Sequence, residues 1–319
     1  MEYRKIIRFG NASYAICLPK DWVEKNNLKK GQGLCVEDSG TGEITLSPKI
    51  IETEQEKKGI TLDTNNKDIY CIKREIVSAY INNFRNIVIT GNNLNEKALG
   101  IREIVNELVA LEIMEQTNKR MIAKDFLDMD NISLPNTVRK IDMTLRATMY
   151  DIKNMLTEQK TVTEISQSRD KDINRLSLLC IRAIRYGINN PAFMKKSRIT
   201  PQDLLDTYQI ITFIEKTGDE IKRFAKEAEQ LYDTTEMDIL TTALTLFGEI
   251  EAIYIQALKA YYKHDRALAF EAAKTRALLK NNIETFSLEL AAQKKNNHVA
   301  EKLITMLNSV HDITRVSYQ

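Results

Sequence analysis

Arg4-Lys5-Ile6-Ile7-Arg8-Phe9-Gly10-Asn11, then Ile16-Cys17-Leu18-Pro19-Lys20 and Leu28-Lys29-Lys30-Gly31, set the reading of the first fifty residues. Strand-like runs over 4–9 and 13–18 flank a Gly-Asn turn. Two more, over 33–36 and 43–46, flank Ser39-Gly40-Thr41-Gly42. Pro19 ends the second run, and its fixed φ suits the first turn of a short helix over 20–27. Trp22 is the expected core anchor of that helix. So small a β-rich unit, with no disulfide or metal framework, buries too little core to stand alone.

The rest of the chain changes character. Five of the eleven glycines lie in residues 1–42, whereas residues 133–319 hold only Gly187, Gly218 and Gly248. Turn-rich β structure therefore gives way to long helices. Pro48 to about Lys67 is polar and charged and reads as a linker, 51–67. Residues 68–131 read as a small α/β unit: helix 73–84, strand 86–90, Gly91 as a turn, helix 95–108, and strands 111–115 and 120–124.

From Leu134 onward apolar residues recur at spacings of three and four, as in Ile141, Leu145, Met149, Ile152 and Leu156. Breaks near Thr161, Asn190–Pro201 and Thr234 give three long helices over 133–233. Three more follow over 234–319, at about 236–262, 265–293 and 298–316. Ile173-Asn174-Arg175-Leu176-Ser177-Leu178 parallels Ile283-Glu284-Thr285-Phe286-Ser287-Leu288, so the halves read as tandem three-helix units. The fold class is multidomain and mainly α.

Charge is uneven. Residues 1–30 carry seven Lys/Arg against three Asp/Glu, +4, and with a whole-chain net charge of +2 the remainder sums to −2. The basic surplus at the N-terminus is where a nucleic-acid contact belongs. The four cysteines are far apart, with no CxxC pair, and are expected to be small buried hydrophobes. No apolar run spans a bilayer and the N-terminus does not begin a signal peptide, so a cytoplasmic chain without membrane insertion is expected.

Glu215 and Asp219 leave one face of a helix, as do Asp170 and Asn174 on the preceding long helix. Counted from the turn at 190–201, the two pairs fall within ~3 Å of each other along an antiparallel hairpin. Two outcomes stay open. The four oxygen-bearing side chains hold a hard metal ion, or neighbours such as Lys171, Lys216 or Lys222 neutralise the acids. The corresponding positions of the second half are Lys280, Glu284, Asn308 and Asp312, where the lysine supplies its own charge and a metal is not expected.

The helical half resembles PhoU, through Arg169-Asp170-Lys171-Asp172-Ile173-Asn174-Arg175-Leu176 and Ile214-Glu215-Lys216-Thr217-Gly218-Asp219. That resemblance implies helical bundles and a metal site at Asp170, Asn174, Glu215 and Asp219 for iron, magnesium or a similar hard ion. Asn174 stands where the family has Asp. The first fifty residues resemble the AbrB/MazE/SpoVT swapped hairpin, and the whole order resembles archaeal PhoU-related regulators. The resemblance implies a homodimer built through residues 1–50. Duplex DNA would be contacted by Arg4, Lys5 and Arg8, with Asn11, Ser13 and Lys20 near the loop.

The expected function is therefore a DNA-binding transcriptional regulator of phosphate uptake with a helical sensor domain. Its rival is an adaptor that docks on a phosphate-transporter ATPase or a sensor kinase without binding DNA. No glycine-rich phosphate loop, nucleophile elbow or histidine-centred group suggests an enzyme. A metallohydrolase built on Asp170, Glu215 and Asp219 would lack a nameable base.

Overall fold

A computed structural model of the chain describes all residues except 1–2, 11–12, 39–41, 43, 49–58, 93, 233–236, 294–296 and 319. It divides into two compact units, Met1–Glu56 and Lys57–Gln319.

In the first unit, β1 (Ile7–Phe9) pairs antiparallel with β2 (Ser13–Ala15), placing Arg8 opposite Tyr14 and Phe9 opposite Ser13. Gly10 adopts φ +71°, a left-handed conformation that costs glycine little. Helix α1 (Lys20–Lys25) starts directly after Pro19, and Asn26 donates a side-chain hydrogen bond to the Trp22 carbonyl at 2.8 Å. A second antiparallel pair joins β3 (Cys35–Asp38) to β4 (Ile44–Ser47). No described residue of this unit is buried. Trp22, expected as a core anchor, is only half-buried, because the described residues of its unit form no core within one chain.

The second unit begins with a four-stranded sheet in the order β5 (Gly59–Asp63), β6 (Asn86–Thr90), β8 (Arg120–Asp125), β7 (Leu111–Gln116). β5 and β6 are parallel, linked by α2 (Ile69–Ile81), while β6, β8 and β7 pair antiparallel. α3 (Leu94–Asn106) packs against α2. Ile72, Ile76, Tyr80, Ile87, Ile89 and Ile101 make the core of this layer. At Gly91 an added Cβ would lie 2.1 Å from the Thr64 hydroxyl, so the β5 and β6 ends approach only through glycine. The expected linker 51–67 is thus corrected. Residues 51–58 lie outside the described residues, and Gly59–Asp63 is a strand whose short Ile60/Leu62 alternation is hidden among charged neighbours.

Among the described residues seven helices follow: α4 (Leu134–Thr157), α5 (Thr163–Ile188), α6 (Pro191–Ser197), α7 (Pro201–Glu229), α8 (Met237–Lys263), α9 (Arg266–Ala292) and α10 (His298–Tyr318). The short α6 was expected as an irregular break. Asn190 caps it by accepting from the Phe193 amide. Thr200 and Asp203 form a reciprocal capping box that starts α7.

The helices group as α4, α5 and α7, then α8, α9 and α10, with α10 on α7 and α4 on α8 closing a single continuous core. Among the described residues no helix is long and apolar enough to cross a membrane. The cysteines depart from expectation. Cys180 is buried and Cys35 half-buried, but Cys17 and Cys71 are exposed.

Candidate functional site

The hairpin unit displays its basic residues. Arg4, Lys5, Arg8, Ser13 and Lys20 are all exposed, and Lys20 is drawn to Glu24 at 3.6 Å within α1. Asn11 lies outside the described residues. Beside these charges stand Tyr3, Ile6, Ile7, Phe9, Tyr14, Ile16, Val36 and Ile44, every one more than half exposed. A basic edge and uncovered apolar surface occur together in one small unit.

The acidic residues of α5 and α7 do converge. Lys222, one turn beyond Asp219, reaches across to Asp170 at 2.7 Å and holds Asp219 at 3.1 Å. Asn174 donates to Asp170 at 3.5 Å. Burial, then the charges of Asp219 and Asp170, push the Glu215 carboxyl above the ordinary carboxylate range, while Lys222 pulls it back. The Lys222 ammonium rises in pKa despite partial burial, through its bonds to both aspartates.

The cation that clustered carboxylates require is therefore a side chain. A metal ion at the same oxygens would have to expel a bonded ammonium. Among the described residues, no three His, Cys, Asp or Glu side chains are arranged to hold a metal. The residues present do not fit the metal that the resemblance to PhoU implied. In the second half, Lys280 pairs with Glu284 at 3.3 Å, Asn308 accepts from Arg276 at 2.9 Å, and Asp312 lies 3.6 Å from Arg315.

Two buried polar networks escape a reading from sequence. Arg182 on α5 is fully buried and donates two bonds to Asp125, at 2.9 and 2.5 Å, and a third to Asn83 at 3.0 Å. Its guanidinium lies 4.5 Å over the Tyr80 ring. This clasp fastens the sheet layer to the helices. Its one local signal is an arginine inside the apolar run Leu178-Leu179-Cys180-Ile181-Arg182-Ala183-Ile184. In the helical core, Asp142 accepts from Tyr254 at 3.0 Å, Tyr262 at 3.2 Å and Arg146 at 2.7 Å. Burial and the Asp142 charge push both tyrosine hydroxyls well up.

With this geometry established, residues 7–53 match the family model of antidote-toxin recognition MazE, a bacterial antitoxin. The match covers both hairpins and α1 and supports the N-terminal swapped-hairpin DNA-binding domain, and with it a DNA-binding regulator. No curated protein and no solved structure matches the chain.

Proposed function

We propose that the chain is a transcriptional regulator of phosphate uptake that binds duplex DNA as a homodimer. Its helical region acts as a PhoU-like sensor. The observation that carries the DNA half is the MazE-matched unit with Arg4, Lys5 and Arg8 exposed and no buried residue among those described. Burying a large apolar side chain contributes roughly 1.5–3 kcal/mol, so Phe9, Val36 and their neighbours strongly favour interleaving with a second copy. That places two copies of the basic strand on one symmetric surface. The phosphate assignment rests on the resemblance of 169–176 and 214–219 to PhoU, with which the tandem three-helix grouping is consistent.

The test is fluorescence anisotropy of the full chain on labelled duplexes from its own upstream region, over a salt series. Three Lys/Arg per protomer give about six phosphate contacts, hence a slope of log K against log salt near about −5. A flat salt response, or no binding, would remove the DNA reading. A strain lacking the gene should show altered phosphate-uptake transcripts; unchanged transcripts would remove the phosphate assignment.

One observation favours the adaptor reading. Met143 and Tyr150, seven residues apart on one face of α4, are 69% and 64% exposed, a pair that a protein partner could cover. Recovery of transporter ATPase or sensor kinase by the wild-type chain, and not by a Met143→Glu/Tyr150→Glu chain, would support it.

A further inference from the structure

A cavity of about 510 Å³ opens where α2 and α3 of the sheet layer meet α5 and α7 of the helical region. Its volume falls in the range of small-molecule sites, and such sites favour seams between substructures. The apolar lining comes from both sides: Val77, Ile104 and Leu108 from the sheet layer, Leu178, Ile181 and Ile211 from the helices.

Charges of both signs border that lining. On the helical wall stand Asp170 and Glu215. Asp170 is engaged by Lys222, but Glu215 makes no hydrogen bond or ion pair with any described residue, although it is half-buried among other acids. On the α2 wall stand Lys73 and Arg74. Lys73 is held by Glu107 at 2.6 Å, whereas the Arg74 guanidinium lies over the Tyr70 ring with its edge available for hydrogen bonding. Arg175 adds a second exposed guanidinium from α5.

The four Lys/Arg and three Asp/Glu of the lining sum to +1, so the cavity suits neither a strong polyanion nor a polycation. A separate observation points to a ligand here. The Ser177 hydroxyl, on a lining residue only 4% exposed, has no hydrogen-bond partner. Buried hydroxyls without partners are uncommon, and a ligand is one way to complete them.

We propose that this cavity binds a small zwitterion with an apolar body, of the class of the apolar α-amino acids. Its ammonium pairs with Glu215, its carboxylate with the Arg74 and Arg175 guanidinium groups, and its side chain lies on the Leu178–Ile211 surface. A guanidinium can hold a carboxylate through two parallel bonds, which fixes the ligand's direction across the seam. Because α2 and α5 both contribute, the ligand bridges the sheet layer and the helices. The proposal does not depend on DNA binding and stands or falls separately.

The test is calorimetric titration of the full chain with leucine, methionine and phenylalanine. The comparison probes are 3-methylbutylamine, which lacks the carboxylate, 4-methylpentanoate, which lacks the ammonium, and inorganic phosphate. At least one amino acid should bind once per chain, and each half-ligand about 10-fold or more weaker, since each loses a charge-assisted pair. Glu215→Gln and Arg74→Ala should each weaken binding by about 10-fold or more while the chain still melts cooperatively. The proposal is overturned if no amino acid binds at millimolar concentration, if phosphate binds in their place, or if either half-ligand binds as tightly. Unchanged affinity in both variants overturns it too.

Discussion

The hairpin unit and the helical region solve the problem of apolar surface in opposite ways. In the helical region Phe224, Phe247, Ile250 and Leu303 are buried within one chain, and the buried Arg182 and Asp142 are bonded to partners. In the hairpin unit Phe9, Tyr14, Val36 and Ile44 face outward beside lysines and arginines. The first pattern belongs to a body whose stability is intramolecular. The second is a surface left open within one chain, and the contrast makes the first fifty residues the place to test for association.

Phe9→Asp should therefore have the largest effect. Loss of roughly 1.5–3 kcal/mol of burial in each of two copies weakens self-association about 10²–10⁴-fold. Sedimentation of the full chain over a dilution series reads this directly, and unchanged association would break the contrast.

Next comes the clasp between sheet and helices. Arg182→Met leaves the buried Asp125 carboxylate only the Leu127 amide and the more distant Arg85, at 3.9 Å, and should cost about 3 kcal/mol in urea unfolding, whereas Arg182→Met/Asp125→Leu should recover most of it. A single variant as stable as wild type would show that the helical region does not rely on satisfied internal charges. Tyr254→Phe should cost less, about 1–2 kcal/mol, because Asp142 keeps Tyr262 and Arg146.

The smallest change concerns Glu215. Its carboxyl is pushed up in the fold, so its ionised form is the disfavoured one. Stability at this position is fully present at acid pH, where the group is protonated in both states, and is lost as pH rises through the raised folded value. Glu215→Gln should accordingly raise Tm by about 1–3 °C at neutral pH, with the gain fading toward acid. A variant that melts lower at neutral pH would mean that the charge is stabilising.

Much of this fold could be read in advance where one physical rule dominates. The apolar spacing from Ile141 to Leu156 placed α4, and the helix breaks fell close to Thr163, Pro201 and Met237, the second of them marked by its proline and the Thr200–Asp203 capping box. β5 was missed because Ile60 and Leu62 are too few to make a period against the charged residues before them. Residues α5 and α7 bring together were found because i,i+4 spacing and hairpin geometry are local quantities. Lys222 was one of three lysines named, and nothing in the spacing could favour it over Lys171 or Lys216. Arg182 and Asp125 are 57 residues apart, and no periodicity links them.

Lys222 also sets how the α5–α7 cluster holds its charge. Its counter-charge is covalently tethered, so it cannot be diluted away, stripped by a chelator or exchanged as ion levels in the surroundings rise and fall. Asp170 and Asp219 are thus answered from within the chain, whereas Glu215, in the same cluster, is not.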